Sequence, residues 1–290
     1  MNIKPEQVKT IGSGLLRPEG IMALDDGSLY AADGRGRCAR IEKNGNTSFF
    51  GNVGGLPNGI CLDRHGNCII ANIGNGEVQS LTTEGIHTVL LSEVDGRKMP
   101  APNFPFIDSR GAIWVSNSTS LSAIDKALRE PVPDGCVILI VNGKPCIVAD
   151  GICFANGIAL DSREEYLYVA ETMMKRVLRY PIRPDRSLGK HEVYGPEDLG
   201  KRGYPDGIAF DEAGNAWIAF PAWNAVGYID PQGNLEIVLE DPDEKVLHQP
   251  SNICFGREGR KTAFIGSLAG TTIPYFEVPC PGARLVHQKP

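Results

Sequence analysis

The sequence predicts an all-β chain, a six-bladed β-propeller of four-stranded antiparallel blades forming one domain over residues 1–290. Three observations predict it. A Pro-x-Gly-Ile-like turn leading into a short strand recurs six times, starting at Pro18, Pro57, Pro102, Ala155, Pro205 and Pro250. These starts lie 39, 45, 53, 50 and 45 residues apart, a period that suits radial β repetition. Each interval holds short apolar runs separated by Asp-, Asn- and Gly-containing turns. One blade cannot bury its own faces, so the repeat implies one closed domain.

The second repeat shows the unit. Gly59–Leu62, Cys68–Ala71, Glu77–Leu81 and Ile86–Leu91 read as strands, with turns at 63–67, 72–76 and 82–85. The fourth repeat gives Gly157–Leu160, Tyr166–Ala170, Arg176–Tyr180 and a weaker strand near His191–Tyr194. The fifth gives Gly207–Phe210, Ala216–Phe220, Ala225–Ile229 and Leu235–Leu239. The sixth supplies only Asn252–Phe255, Thr262–Ile265 and Ile273–Val278. Val8–Ile11 precedes the first turn and is the expected fourth strand, closing the ring; Arg284–His287 is its rival. Two segments exceed a blade: Asp95–Ala101, and Ser118–Pro133 with a short helix expected over Leu121–Leu128.

Net charge is −6, from 29 basic and 35 acidic residues, with no long block of either sign, which argues against nucleic acid as a partner. No run of 18 apolar residues is present and Met1–Glu6 is not an apolar leader, so a membrane partner is not expected. The eight cysteines are scattered without a Cys-x-x-Cys pair, consistent with buried reduced thiols and a cytoplasmic location. Cys136 and Cys146 are placed to face each other across a hairpin of Val137–Val141 and Ile147–Ala149, but no disulfide is expected.

The second residue of each axial turn is Glu19, Asn58, Asn103, Asn156, Asp206 or Ser251. In a propeller the first strand of each blade lines the central channel, so a turn just before it sets its side chain at one mouth. Any single Asn or Asp is explained by turn formation alone. Six oxygen-bearing residues at one offset are not. Glu19, Asn103, Asn156 and Asp206 therefore make a candidate set for one divalent cation, Ca²⁺ first, with Zn²⁺, Mg²⁺ or Mn²⁺ as other occupants. A polar channel without catalysis satisfies the same spacing.

Phe154–Leu160 with Tyr168–Thr172, Tyr204–Ala209 with Asp211 and Gly214, and Arg17–Gly20 together resemble the SMP-30/gluconolactonase/luciferin-regenerating-enzyme family of six-bladed propellers. The resemblance covers essentially the whole chain and implies a metal-dependent hydrolase, most often a lactonase. Related organophosphatase and strictosidine-synthase-like propellers share the architecture. It implies that Glu19, Asn156 and Asp206 bind the metal, that Asn103 binds it or the substrate, and that Asp206 acts as base or nucleophile. Sugar lactonases of this kind carry an Arg two residues before the third-blade Asn and an Asp just after it. Here Ala101 and Phe104 hold those places, which points to an apolar pocket wall and a less hydroxylated lactone or ester.

Asn58 and Ser251 share the axial offset, and His248 lies two residues before Pro250, so all three are candidates for lining the mouth and meeting substrate. Glu171, Asn117 and Asn72 follow the second strand of their blades, and the sequence leaves open on which face they fall. Trp223 is equally a pocket wall or a surface anchor. No Gly-x-Ser-x-Gly elbow occurs, and Gly34–Arg37 does not lead into a helix, which argues against a serine nucleophile and a phosphate loop. The reading is a hydrolase of a small-molecule lactone or ester, monomeric or weakly self-associating. Its rivals are another enzyme on the same site, a phosphotriesterase-like hydrolase or a lyase, and a non-catalytic binding propeller.

Overall fold

The computed structural model describes residues 1–288. Six four-stranded antiparallel sheets form the blades of a propeller, and helix is nearly absent. Blade 2 is Pro57–Leu62, Cys68–Asn72, Glu77–Leu81 and His87–Leu91, in that order from axis to rim. Blade 4 is Ala155–Leu160, Tyr166–Glu171, Arg176–Pro181 and Glu192–Tyr194. Among the described residues no helix is long and apolar enough to cross a membrane.

Lys9–Ile11 closes the ring. It pairs antiparallel with Ile273–Glu277, Ile11 opposite Ile273, and becomes the outer strand of blade 6. The rival segment around Arg284–His287 joins no sheet. His287 Nε2 instead lies 2.9 Å from the Ala23 carbonyl.

Burial follows position in the blade. Leu29–Asp33 and Cys68–Asn72 are wholly buried, because a second strand is sandwiched between neighbouring blades on both faces. Such strands read as continuous apolar runs. The outer strand His87–Leu91 is mostly exposed. Aromatic pairs join blades 4 and 5: Tyr168 meets Phe210 edge-on at 4.7 Å between ring centroids.

The axial glycines have a steric cause. A Cβ on Gly59 would lie 2.6 Å from the Asn103 carbonyl oxygen of the next blade, and one on Gly157 closer still to that of Asp206. Gly20 and Gly207 meet Asn58 and Ser251 in the same way. The glycine lets neighbouring first strands touch near the axis, and Gly157 N donates to Asp206 O at 3.1 Å.

A second repeated device fixes the loops that carry the axial residues. Asp33, Asn72, Asn117 and Glu171 end the second strands of blades 1 to 4 and are buried. Their side-chain oxygens accept from the backbone N–H of Leu16, Leu56, Ala101 and Cys153, just ahead of each axial turn. Their end of the blade is thus the candidate-site end, and their work is to hold backbone.

Three details depart from the sequence reading. Asn58, Asn103, Asn156 and Ser251 sit inside their strands, at register shifts, rather than in turns before them; only Glu19 and Asp206 precede strands. The helix spans only Ile124–Ala127. Cys146 pairs with Leu139 while Cys136 pairs with Asn117 on the other side, so the two thiols do not face each other, and both are free.

Candidate active site

Five of the six axial residues meet in one recess of about 380 Å³ at a mouth of the channel: Glu19, Asn58, Asn103, Asn156 and Asp206. Glu19 and Asp206 are 1% and 6% exposed, so both carboxyls are held almost without solvent. Burial pushes Glu19 up to about 7, against the nearby Arg17 charge and a hydrogen bond from Asn58 that lower it. Burial, and then the charge of Glu19, push Asp206 well above the usual carboxylate range.

The amides are oriented by named partners. Arg17 Nη2 donates to Asn58 Oδ1 at 2.8 Å, and Asn58 Nδ2 donates to Glu19 Oε1 at 3.0 Å and Asn103 Oδ1 at 3.1 Å. Asn103 Nδ2 donates to Ser118 Oγ at 2.9 Å, whose hydroxyl donates to the Ala155 carbonyl. Asn156 Nδ2 donates to Thr172 Oγ1 at 3.1 Å, whose hydroxyl donates to the Pro205 carbonyl. Asn103 and Asn156 are therefore turned with their oxygens away from Ser118 and Thr172.

The outcome is a set of free acceptors. Eight buried side-chain N or O atoms lack a partner among the described residues, and three of them belong here: Glu19 Oε2, Asn156 Oδ1 and Asp206 Oδ1. Buried unpaired oxygens cost free energy unless something satisfies them. Two carboxylates and an amide carbonyl, all oxygen, fit a hard divalent cation. Among the described residues no three His, Cys, Asp or Glu side chains cluster as a metal site, so the amides must complete any such set. Asn103 Oδ1 already accepts from Asn58 and is the least available of the four expected ligands.

The remaining expected site residues lie elsewhere. Ser251 is fully buried and its Oγ donates to the Glu19 carbonyl at 3.1 Å, so it braces backbone. His248 is half-buried outside the recess, its carbonyl accepting from Ser267 Oγ. Ala101 and Phe104 do not line the recess. Ala101 N is tied to Asn117 Oδ1, and Phe104 lines a separate apolar cavity of about 440 Å³ further along the channel. Phe104 neighbours Asn103 on a strand, and successive residues of a strand do not share a face. Trp223 Nε1 donates to Glu240 Oε1 at 2.9 Å, outside the recess.

Apolar walls are nonetheless present, supplied by other residues: Ile73, Ile124, Leu128, Phe154, Met173 and Leu268. Sequence reasoning missed these, and missed Arg17, Ser118 and Thr172. Arg17 stands in the first-blade segment, two residues before Glu19, and was the one legible signal. Its φ of 50° is a left-handed conformation that turns the guanidinium over the mouth.

The chain matches the family model described as SMP-30/Gluconolactonase/LRE-like region over residues 83–269. It is 29% identical over 232 residues to Protein Strictosidine Synthase-like 7 of Arabidopsis thaliana, covering 74% of this chain and 60% of that one. It is 25% identical over 233 residues to the diisopropyl-fluorophosphatase of Loligo vulgaris, covering 77% and 72%. Against the solved structure of a gluconolactonase from Xanthomonas campestris the TM-score is 0.78 at 20% identity, covering 94% of this chain and 89% of that one, a likeness of fold. The chain spans about three-fifths of the length of the curated relatives first matched.

Proposed function

Since the chain belongs to the SMP-30/gluconolactonase/LRE-like family, we propose that it is a divalent-cation-dependent hydrolase opening a lactone or related carboxylic ester. The observation that carries this reading is the convergence of Glu19 Oε2, Asn156 Oδ1 and Asp206 Oδ1, all buried and unpartnered, in one accessible recess. A scaffold with no ligand would gain by replacing them with apolar groups. Names of relatives that include a gluconolactonase and a diisopropyl-fluorophosphatase support hydrolysis as the reaction class.

Glu19, Asp206 and Asn156 would hold the cation, with Asn103 at their side. Such a cation, when bound, polarises a carbonyl and acidifies water, and Ca²⁺ suits an all-oxygen set best. The chain's own residues do the rest. Water adds to the substrate carbonyl carbon, the ring C–O bond breaks, and the leaving oxygen receives a proton. Asp206, ionised beside the cation, would accept the water proton through the carboxylate oxygen that the cation does not take, and return it to the leaving oxygen. Asn58 keeps the second oxygen of Glu19 occupied, so Glu19 presents a single oxygen. Arg17 offers guanidinium N–H groups at the mouth for a substrate oxygen.

The test is proton release from a panel of lactones and aryl esters, with Ca²⁺ and with chelator. Hydrolysis that chelator abolishes and Ca²⁺ restores supports the reading. Cation-independent turnover, or none across the panel, overturns it.

A further inference from the structure

We propose that the substrate carries an unbranched apolar substituent, and that Ile124 and Leu128, on and beside the short helix of the blade 3 insertion, are the residues that select it. This rests on the hydrolase reading of the carboxylate pair and adds what the pair itself does not specify.

The wall around the pair is assembled from blades 2 to 6, Pro221 and Ala222 coming from blade 5. Ile73 comes from blade 2, Ile124 and Leu128 from the insertion in blade 3, Met173 from blade 4 and Leu268 from blade 6. Leu128 is 51% exposed, a large apolar side chain at the edge of a recess that also holds two buried carboxyls. Among the described residues Arg17 is the one cation lining this recess, and one of its nitrogens is already bound to Asn58. Hydroxyls on a substituent leaning on Ile73, Ile124, Leu128 and Leu268 would find no side-chain partner on those four residues, which disfavours a polyol against that face.

The wall is pre-formed. Asp134 closes the stem of the insertion, accepting from Thr119 Oγ1 at 3.0 Å, Ser120 N at 2.9 Å and Ser120 Oγ at 2.6 Å. Arg97 Nη2 donates to the Asp134 carbonyl at 2.9 Å, tying the same stem to the hairpin of Glu93–Val94 and Arg97–Lys98. A pinned loop loses little freedom when a ligand settles on it.

Length is set by a second recess. About 480 Å³ opens between the insertion and that hairpin, with Met99 and Pro100 on its wall. Ile73 and Ile124 line both recesses. A chain that starts at the carboxylates and passes these two residues continues into the second recess. Met99 and Pro100 offer apolar surface to the first carbons there, and Asn75, Ser92, Glu93, Lys98 and Ser122 on the same lining meet a polar or solvent-exposed end.

The experiment uses Ca²⁺-loaded protein and γ-lactones from γ-butyrolactone to γ-decalactone. For the wild type, kcat/KM should rise about fourfold per added CH₂ over at least four carbons, mainly through KM. In Leu128→Ser and Ile124→Ser the ratio of decalactone to butyrolactone activity should fall about tenfold, and Leu128→Met should keep it. A flat series, or a ratio unmoved by both serine variants, overturns the inference while leaving the hydrolase reading intact. If no lactone is turned over, calorimetry with 2-hexylcyclopentanone, which cannot be hydrolysed, decides separately. Binding that both serine variants weaken about tenfold supports the apolar subsite, and no binding, or equal binding by all, overturns it.

Discussion

Asn58 Nδ2 donates to Glu19 Oε1 at 3.0 Å across the join between blades 1 and 2. The orientation of the amide is forced, because Asn58 Oδ1 faces a guanidinium that can only donate. Glu19 is therefore half satisfied: one oxygen is held by the protein and the other is left free and buried. That division is what a ligand to an external cation requires.

Glu19 gives the pH dependence. Its carboxyl, ordinarily near 4.5, is pushed up to about 7 by burial. In cation-free protein the folded state then binds the proton more tightly than the unfolded state. Its contribution to stability is complete below pH 4.5 and is lost as pH rises through about 7. In chelator, Tm between pH 5 and pH 8 should fall about 5 °C further in the wild type than in Glu19→Gln. Saturating Ca²⁺ should remove the wild-type loss, since a bound cation favours the ionised pair. Identical pH slopes for the two proteins would refute this account.

Asp206→Ala should abolish cation-dependent hydrolysis, lowering kcat/KM by at least about a thousandfold. Its Tm in chelator should be equal to or above that of the wild type, because the variant removes a buried carboxyl with an unpartnered oxygen. The Ca²⁺-induced rise in Tm should vanish. A Ca²⁺ titration that matches the wild type would sink the ligand assignment.

Arg17 lowers the pKa of both carboxyls through its charge. Arg17→Met removes that charge and releases Asn58 Oδ1. The pH at which Ca²⁺ binding is half-maximal should rise by about one unit, because protons compete with the cation for the pair. Calorimetric titrations at a series of pH values measure it. A midpoint that stays put, or falls, would show that Arg17 does not govern the pair.

Gly157→Ala tests the close approach at the axis. Its backbone needs no left-handed conformation, so the cost comes from the Cβ pressed against the Asp206 carbonyl. The substitution should cost about 2 kcal/mol or more in stability and also weaken Ca²⁺ binding, since relief requires blades 4 and 5 to part. Unchanged denaturant midpoints would mean that the strands move apart freely.

The repeat and its six axial residues were legible because they are local, with the same residue types at the same offset in each unit. The glycine after the axial residue was legible as a pattern but not in its cause, which is a carbonyl of the next blade. Ala101 and Phe104 show where the sequence misleads. They flank Asn103 along the chain, yet one is spent on Asn117 and the other lines a different cavity. The pocket wall was illegible for a related reason. Ile73, Ile124 and Leu268 are far apart in sequence and become neighbours only when loops of separate blades gather at one end. Arg17 was visible in the first-blade segment but its place over the mouth was not, since nothing in Arg17-Pro18 announces a left-handed arginine.

The closure of blade 6 by Lys9–Ile11 sets an order of events for a chain leaving the ribosome. Within that sheet Lys9–Ile11 is made first and waits without its partner until Ile273–Glu277 has emerged. Through that interval Glu19, Asn156 and Asp206 exist but stand in an open arc, with the edge of blade 1 free. A chain that has not yet made Ile273–Glu277 already carries Glu19, Asn156 and Asp206 but lacks the pairing with Lys9–Ile11 that closes the ring.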